Sequence, residues 1–166
     1  MKPLKKFSGI IILLIAINTI SFGQSLDSDY KYALGLRAGG PSGITFKINT
    51  RNSNSVEFIA GFWYEFLSLT ALFEKNAPAF DVDGMNWYYG GGGHLSFFSG
   101  GRHDDRWYYR RGEGYAIGID GIVGLEYKIP PIPFAVSLDL KPFLEVDRDG
   151  DVHFGIDPGL GIKFTF

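Results

Sequence analysis

The chain has 166 residues, 23 of them glycine, with 16% aromatic and 20% charged residues, no cysteine and a formal charge of −2. That length allows one domain, and zero cysteine excludes a disulfide framework, a thiolate metal site and cysteine-based catalysis together. The weak negative charge speaks against nucleic-acid binding, and the aromatic content is foreign to a disordered linker.

Met1 to Gln24 carry the pattern of an export signal. Lys2, Lys5 and Lys6 form a positive start, Ile10 to Ile17 an apolar run, and Ser21-Phe22-Gly23 supplies small residues at the cleavage-determining positions. The apolar run is eight residues long, far short of the ~20 needed to span a membrane as a helix. Cleavage is expected after Gly23, with residues 1–23 as signal peptide and 24–166 as the mature domain. Loss of the three lysines leaves 13 basic against 18 acidic residues, a mature charge of −5.

Beyond the signal, period two dominates and predicts strands. Tyr32 to Gly39 sets Leu34, Leu36 and Ala38 against Gly35 and Arg37. Gly43 to Asn49 sets Ile44, Phe46 and Ile48 against Thr45 and Lys47. Val56, Phe58, Ala60 and Phe62 oppose Glu57 and Gly61, with Ile59 breaking the polarity. Leu67, Leu69, Ala71 and Phe73 oppose Ser68, Thr70 and Glu74. Asn86 to Phe98 is a fifth strand, expected to be interrupted by Gly90 to Gly93. Ala116 to Lys128 sets Ile117, Ile119, Val123, Leu125 and Tyr127 against Gly118, Asp120, Gly124 and Glu126. Phe134 to Phe143 and Phe154 to Phe166 alternate as cleanly, with Asp139, Lys141, Asp157 and Lys163 on their polar faces.

Eight strands of ~10 residues fit an all-β, eight-stranded antiparallel up-and-down transmembrane barrel. A soluble barrel or sandwich would bury the bulky apolar face, but an eight-stranded barrel is only wide enough for its own small filling. The polar face is the better filling. It pairs glycines with Arg37, Lys47, Glu57, Glu74, Asp120, Glu126, Asp139, Lys141, Asp157 and Lys163, four basic and six acidic groups. Aromatic clusters near strand ends (Trp63, Tyr64 and Phe66; Trp87, Tyr88 and Tyr89; Tyr127, Phe134 and Phe143) suit a membrane–water girdle.

The closing segment Gly159-Leu160-Gly161-Ile162-Lys163-Phe164-Thr165-Phe166 looks like the terminal strand of bacterial outer-membrane barrels, which ends in an aromatic residue. With Ala33 to Lys47 as an opening hairpin, the mature chain resembles the small OmpA/OmpX-like outer-membrane barrel superfamily. The resemblance implies an outer-membrane location, monomeric state, contact with outer-membrane lipids and lipopolysaccharide, and assembly machinery that reads Phe164 and Phe166. It also implies periplasmic turns at Asn49 to Ser55, Lys75 to Met85 and Ile129 to Pro133. External connections then fall at Gly39 to Ser42, near Tyr64 to Phe66, at Ser99 to Tyr115 and at Leu144 to His153.

The long external loop mixes Arg102, Arg106, Arg110 and Arg111 with Trp107, Tyr108 and Tyr109, a set able to hold phosphates and stack on sugars. The plainer reading pairs those arginines with Asp104, Asp105 and Glu113. His94-Leu95-Ser96 is similar to the His-x-Ser pair of outer-membrane lipid A deacylases, but the alternation points both residues into the lumen and no well-spaced Glu follows. Asp147 to Asp151 and Asp81 to Gly84 read as Asp-Gly turns, since the spacing lacks a calcium loop's terminal Glu. No catalytic residue, cofactor or metal site is expected. The leading expectation is a non-enzymatic structural or surface-binding component with a plugged lumen. A narrow pore or small-ligand conduit comes next, and a lipid A-modifying enzyme third.

Overall fold

The computed structural model describes residues 30–50, 52–63, 65–99, 103–105, 108–110 and 113–166; the expected signal peptide lies outside them. Eight strands close into one antiparallel barrel: β1 (Tyr32–Ala38), β2 (Ser42–Asn49), β3 (Asn54–Trp63), β4 (Phe66–Pro78), β5 (Met85–Phe98), β8 (Gly114–Ile129), β9 (Phe134–Asp147) and β10 (Val152–Thr165). Between β5 and β8, β6 (His103–Asp105) and β7 (Tyr108–Arg110) form a separate two-stranded hairpin. Each barrel strand pairs with its sequence neighbours, and β1 pairs with β10 to close the ring, from Ala33 opposite Thr165 to Ala38 opposite Leu160. This is the up-and-down architecture that the alternating pattern predicts.

The strands run longer than predicted at several ends. β4 reaches Pro78, β8 starts at Gly114, and β9 continues past Phe143 to Asp147. The connections at the end of the barrel where β1 starts and β10 ends are therefore short. At the opposite end only the segment between β5 and β8 is long.

The Gly90 to Gly93 stretch does not interrupt β5, which pairs without a break with both β4 and β8. The glycines serve close approach. A Cβ on Gly92 would overlap the main chain of β4 at Ala71 and Leu72. Because backbone rather than a flexible side-chain end is in the way, Gly92→Val is expected to destabilise the barrel by about 1–3 kcal/mol. Equilibrium urea unfolding measures it, with Gly150→Ala as a contrast in which strain comes from a positive φ (87°) and no atom lies within 4 Å.

Burial is inverted relative to a water-soluble protein. The outer wall exposes large apolar side chains on each of the eight barrel strands, among them Leu36, Phe58, Phe73, Ile119, Leu138 and Leu160. The interior holds charged and hydroxyl groups, with Lys47, Glu74 and Ser55 wholly buried. Two residues assigned to the girdle are corrected. Tyr88 points inward and is 1% exposed, and Phe143 is also buried. Strict alternation carries both inside, and glycines make room for their rings: Gly124 faces Tyr88, and Gly155 faces Phe143. Ile59, which broke the pattern on β3, also points inward and packs with Leu72, Tyr88 and Ile122.

Candidate functional site

The interior divides into two polar clusters separated by that apolar group. In the half nearer the start of β1 and the end of β10, Lys47 reaches Glu74 (3.1 Å) and Glu126 (3.6 Å), while Lys163 reaches Glu57 (3.1 Å) and Glu126 (3.0 Å). Neutral donors complete the set: Thr45 donates to Glu57, Ser55 to Glu74, and the Tyr30 hydroxyl to Glu126. Charge-assisted bonds of this kind are what make a buried carboxylate tolerable.

In the other half Arg37 forks between two acids, with Nη2 2.6 Å from Asp139 and Nη1 2.8 Å from Asp157. Gly159 leaves the space its guanidinium occupies, since a Cβ there would overlap it. Lys141 links Asp157 to Asp120, and Asp120 in turn holds His94 Nδ1 at 2.8 Å. The other ring nitrogen, Nε2, lies 3.0 Å from Glu145.

Tyr88 joins the halves. Its hydroxyl donates to Asp139 at 3.0 Å, and its ring carries Lys47 Nζ at 4.5 Å on the side of the first cluster. The cation–π contact and the hydrogen bond use both ends of one amphipathic side chain.

All ten charged residues expected in the lumen lie inside the barrel, none more than 6% exposed. Sequence reasoning left out Glu145, Tyr88 and Tyr30. Glu145 follows the parity of Ser137, Asp139 and Lys141 on β9, but the predicted strand stopped two residues short of it. Tyr30 precedes β1 and gives no periodic signal.

His94 and Ser96 do share the inner face, but the imidazole is engaged by carboxylates on both sides. The Ser96 hydroxyl instead lies 3.4 Å from that of Ser68. No proton-transfer pair forms between them.

Of the residues expected to form a surface-binding loop, Arg102, Arg106, Trp107 and Arg111 lie outside the described residues. Tyr108, Tyr109 and Arg110 form β7, in register with Asp105, Asp104 and His103 of β6. Beside the roots of this segment, an open cleft of about 820 Å³ is lined by Phe62, Trp63, Phe66, Phe97 and Phe98, with Glu65 and Glu113 on its rim. The Asp147 to Asp151 segment is a tight turn in which the Asp147 carboxylate accepts from the N–H groups of Asp149 and Asp151, both at 3.0 Å. Among the described residues no group of three or more His, Asp or Glu is placed to hold a metal ion.

At the terminal end the outer wall carries a row of rings across the seam. Phe46, Tyr32, Phe166, Phe164 and Phe134 follow one another with centroids 5.6–6.2 Å apart. The residues expected to act as the assembly signal, Phe164 and Phe166, thus sit in the middle of this row. No known family model matches the chain, and no curated protein matches it.

Proposed function

We propose that this chain is an exported outer-membrane β-barrel protein, a non-enzymatic structural or surface-binding component whose lumen is plugged by its own side chains. One observation carries the reading: a closed barrel whose wall is apolar outside and charged inside. Lipid satisfies such a wall, and closure leaves few backbone groups unpaired within it. The ring row at the terminal end suits one membrane–water boundary, and Trp63, Phe97 and Tyr115 suit the other. The barrel assembly machinery and lipopolysaccharide remain its proposed partners, the latter through the arginines and aromatic residues between β5 and β8.

Electrophoresis of the membrane fraction with and without boiling tests the location. The chain should fractionate with outer membranes and shift in mobility once heated; recovery from the soluble periplasm overturns the reading. A substitution sharpens the test. Leu138 is 61% exposed, with Leu125 and Leu160 beside it. Leu138→Arg is expected to cost about 2–4 kcal/mol if lipid surrounds the wall, and within about 0.5 kcal/mol if water does. Planar-bilayer recording separates a plugged barrel from a pore: two paired clusters and an apolar layer predict no discrete conductance steps.

A further inference from the structure

We infer that the cleft beside β3, β4, β5 and β8 binds a small organic ammonium ion, with Glu65 and Glu113 meeting its charge and the aromatic rings its hydrocarbon. This goes beyond the proposed lipopolysaccharide contact, which uses the arginines between β5 and β8. It is the same site whether lipid or water surrounds the wall.

Cross-strand register builds the cleft. Trp63 pairs with Phe66, Phe66 with Phe98, and Phe98 with Gly114, so three rings stand in one row that ends on a glycine. One residue further from the strand ends, Phe62, Leu67 and Phe97 form a second row. Adjacent residues of a strand alternate faces, and the cleft is lined from both rows. A Cβ on Gly114 would lie 2.7 Å from the Phe98 ring, so the glycine is what seats that ring at the β8 end. The Ser99 N–H donates to the Glu65 carbonyl at 3.0 Å, tying the connection between β3 and β4 to the end of β5. Glu113 directly precedes Gly114. The two carboxylates therefore bracket the rings, one at the β3–β4 connection and one at β8.

Polarity decides what fits. Phe62, Trp63 and Phe97 are 53%, 55% and 43% exposed, and ring faces are electron-rich. Carboxylates only accept hydrogen bonds. Among the described residues no ion pair engages Glu65 or Glu113, and no basic side chain lines the cleft. Every contribution to the local potential thus has one sign, and an anion is repelled. A sugar would need several donors, where the lining side chains offer the Ser99 hydroxyl. A bare divalent ion would need six or more oxygens around it and would gain nothing from the rings. A cation wrapped in hydrocarbon uses both features at once, through ring faces and a carboxylate counter-charge. The cleft, at about 820 Å³, has the size of a small-molecule site.

The test is tryptophan emission from the full chain in dodecylmaltoside micelles, whose headgroups are uncharged. Trp87→Phe with Trp107→Phe leaves Trp63 as the sole reporter. Benzyltrimethylammonium should shift Trp63 emission saturably, whereas benzyl alcohol and benzenesulfonate at matched concentrations should not. Added sodium chloride should weaken binding, because exposed charges are screened. Glu65→Gln with Glu113→Gln should weaken it about tenfold while heat-modifiable mobility is kept. No response, an equal response to benzyl alcohol, or unchanged affinity in the double variant overturns the inference. So does a response that never saturates, the mark of partition into the micelle. Should the double variant fail to fold, salt dependence and selectivity among the three probes decide alone. Recovery of the chain from the soluble periplasm defeats the membrane reading instead, and the same titration in buffer then decides the cleft.

Discussion

Replacing Lys163 with methionine is expected to cost about 3–5 kcal/mol of folding free energy, because it leaves buried carboxylates without their cation. Lys163 is 2% exposed and serves Glu57 and Glu126, whereas Lys47 already divides its charge between Glu74 and Glu126. In the variant three carboxylates share one ammonium. The loss should appear as a lower urea midpoint for barrels refolded into vesicles, followed by tryptophan fluorescence. Adding Glu57→Gln and Glu126→Gln to Lys163→Met should restore most of it, since one lysine and one glutamate then remain paired. A loss below about 1 kcal/mol, the scale of solvent-exposed ion pairs, would show that water reaches the cluster and that the lumen is not plugged.

Arg37→Leu should cost a comparable amount, about 3–5 kcal/mol, for a different geometric reason. The guanidinium spans two carboxylates on adjacent strands, Asp139 of β9 and Asp157 of β10, and Asp157 also holds the turn between β1 and β2 through Gly40. Arg37→Lys keeps the charge but not the fork, and is expected to lose about 1.5–3 kcal/mol, the value of one hydrogen bond to a charged group. The same unfolding measurement ranks the three proteins. Equal stability of the lysine variant and the wild type would refute the fork as the source of the stabilisation.

The strands and their inner charges were legible because one variable, parity, decides both in a barrel. Arg37, Glu57, Asp139 and Lys163 alternate with Leu, Phe or Ile, so their side follows once the wall is known to be apolar outward. Tyr88 and Phe143 were missed because residue type was allowed to outvote parity. Counting back by twos from Ser96 and His94 places Tyr88 inside, and counting on from Lys141 places Phe143 inside. These two large rings enter the narrow barrel where the residue directly across on the neighbouring strand is glycine. That correspondence, between Tyr88 and Gly124 or Phe143 and Gly155, depends on cross-strand register, which alternation within one strand does not carry. The apolar layer of Ile59, Leu72, Tyr88 and Ile122 is likewise a property of four strands together.

β1 has seven residues where β8 has sixteen, and it alone joins the beginning of the barrel to its end. Every other joint is a hairpin between strands consecutive around the wall, closed over a short connection or, for β5 and β8, a moderate one. The seam joins Ala33 to Thr165, so it forms only after the last strand exists and must close the longest loop of all. It is the last joint to shut and the first to open. The ring row from Phe46 through Tyr32 and Phe166 to Phe134 lies across that joint, where it acts as a clasp, setting how long a closed barrel stays closed.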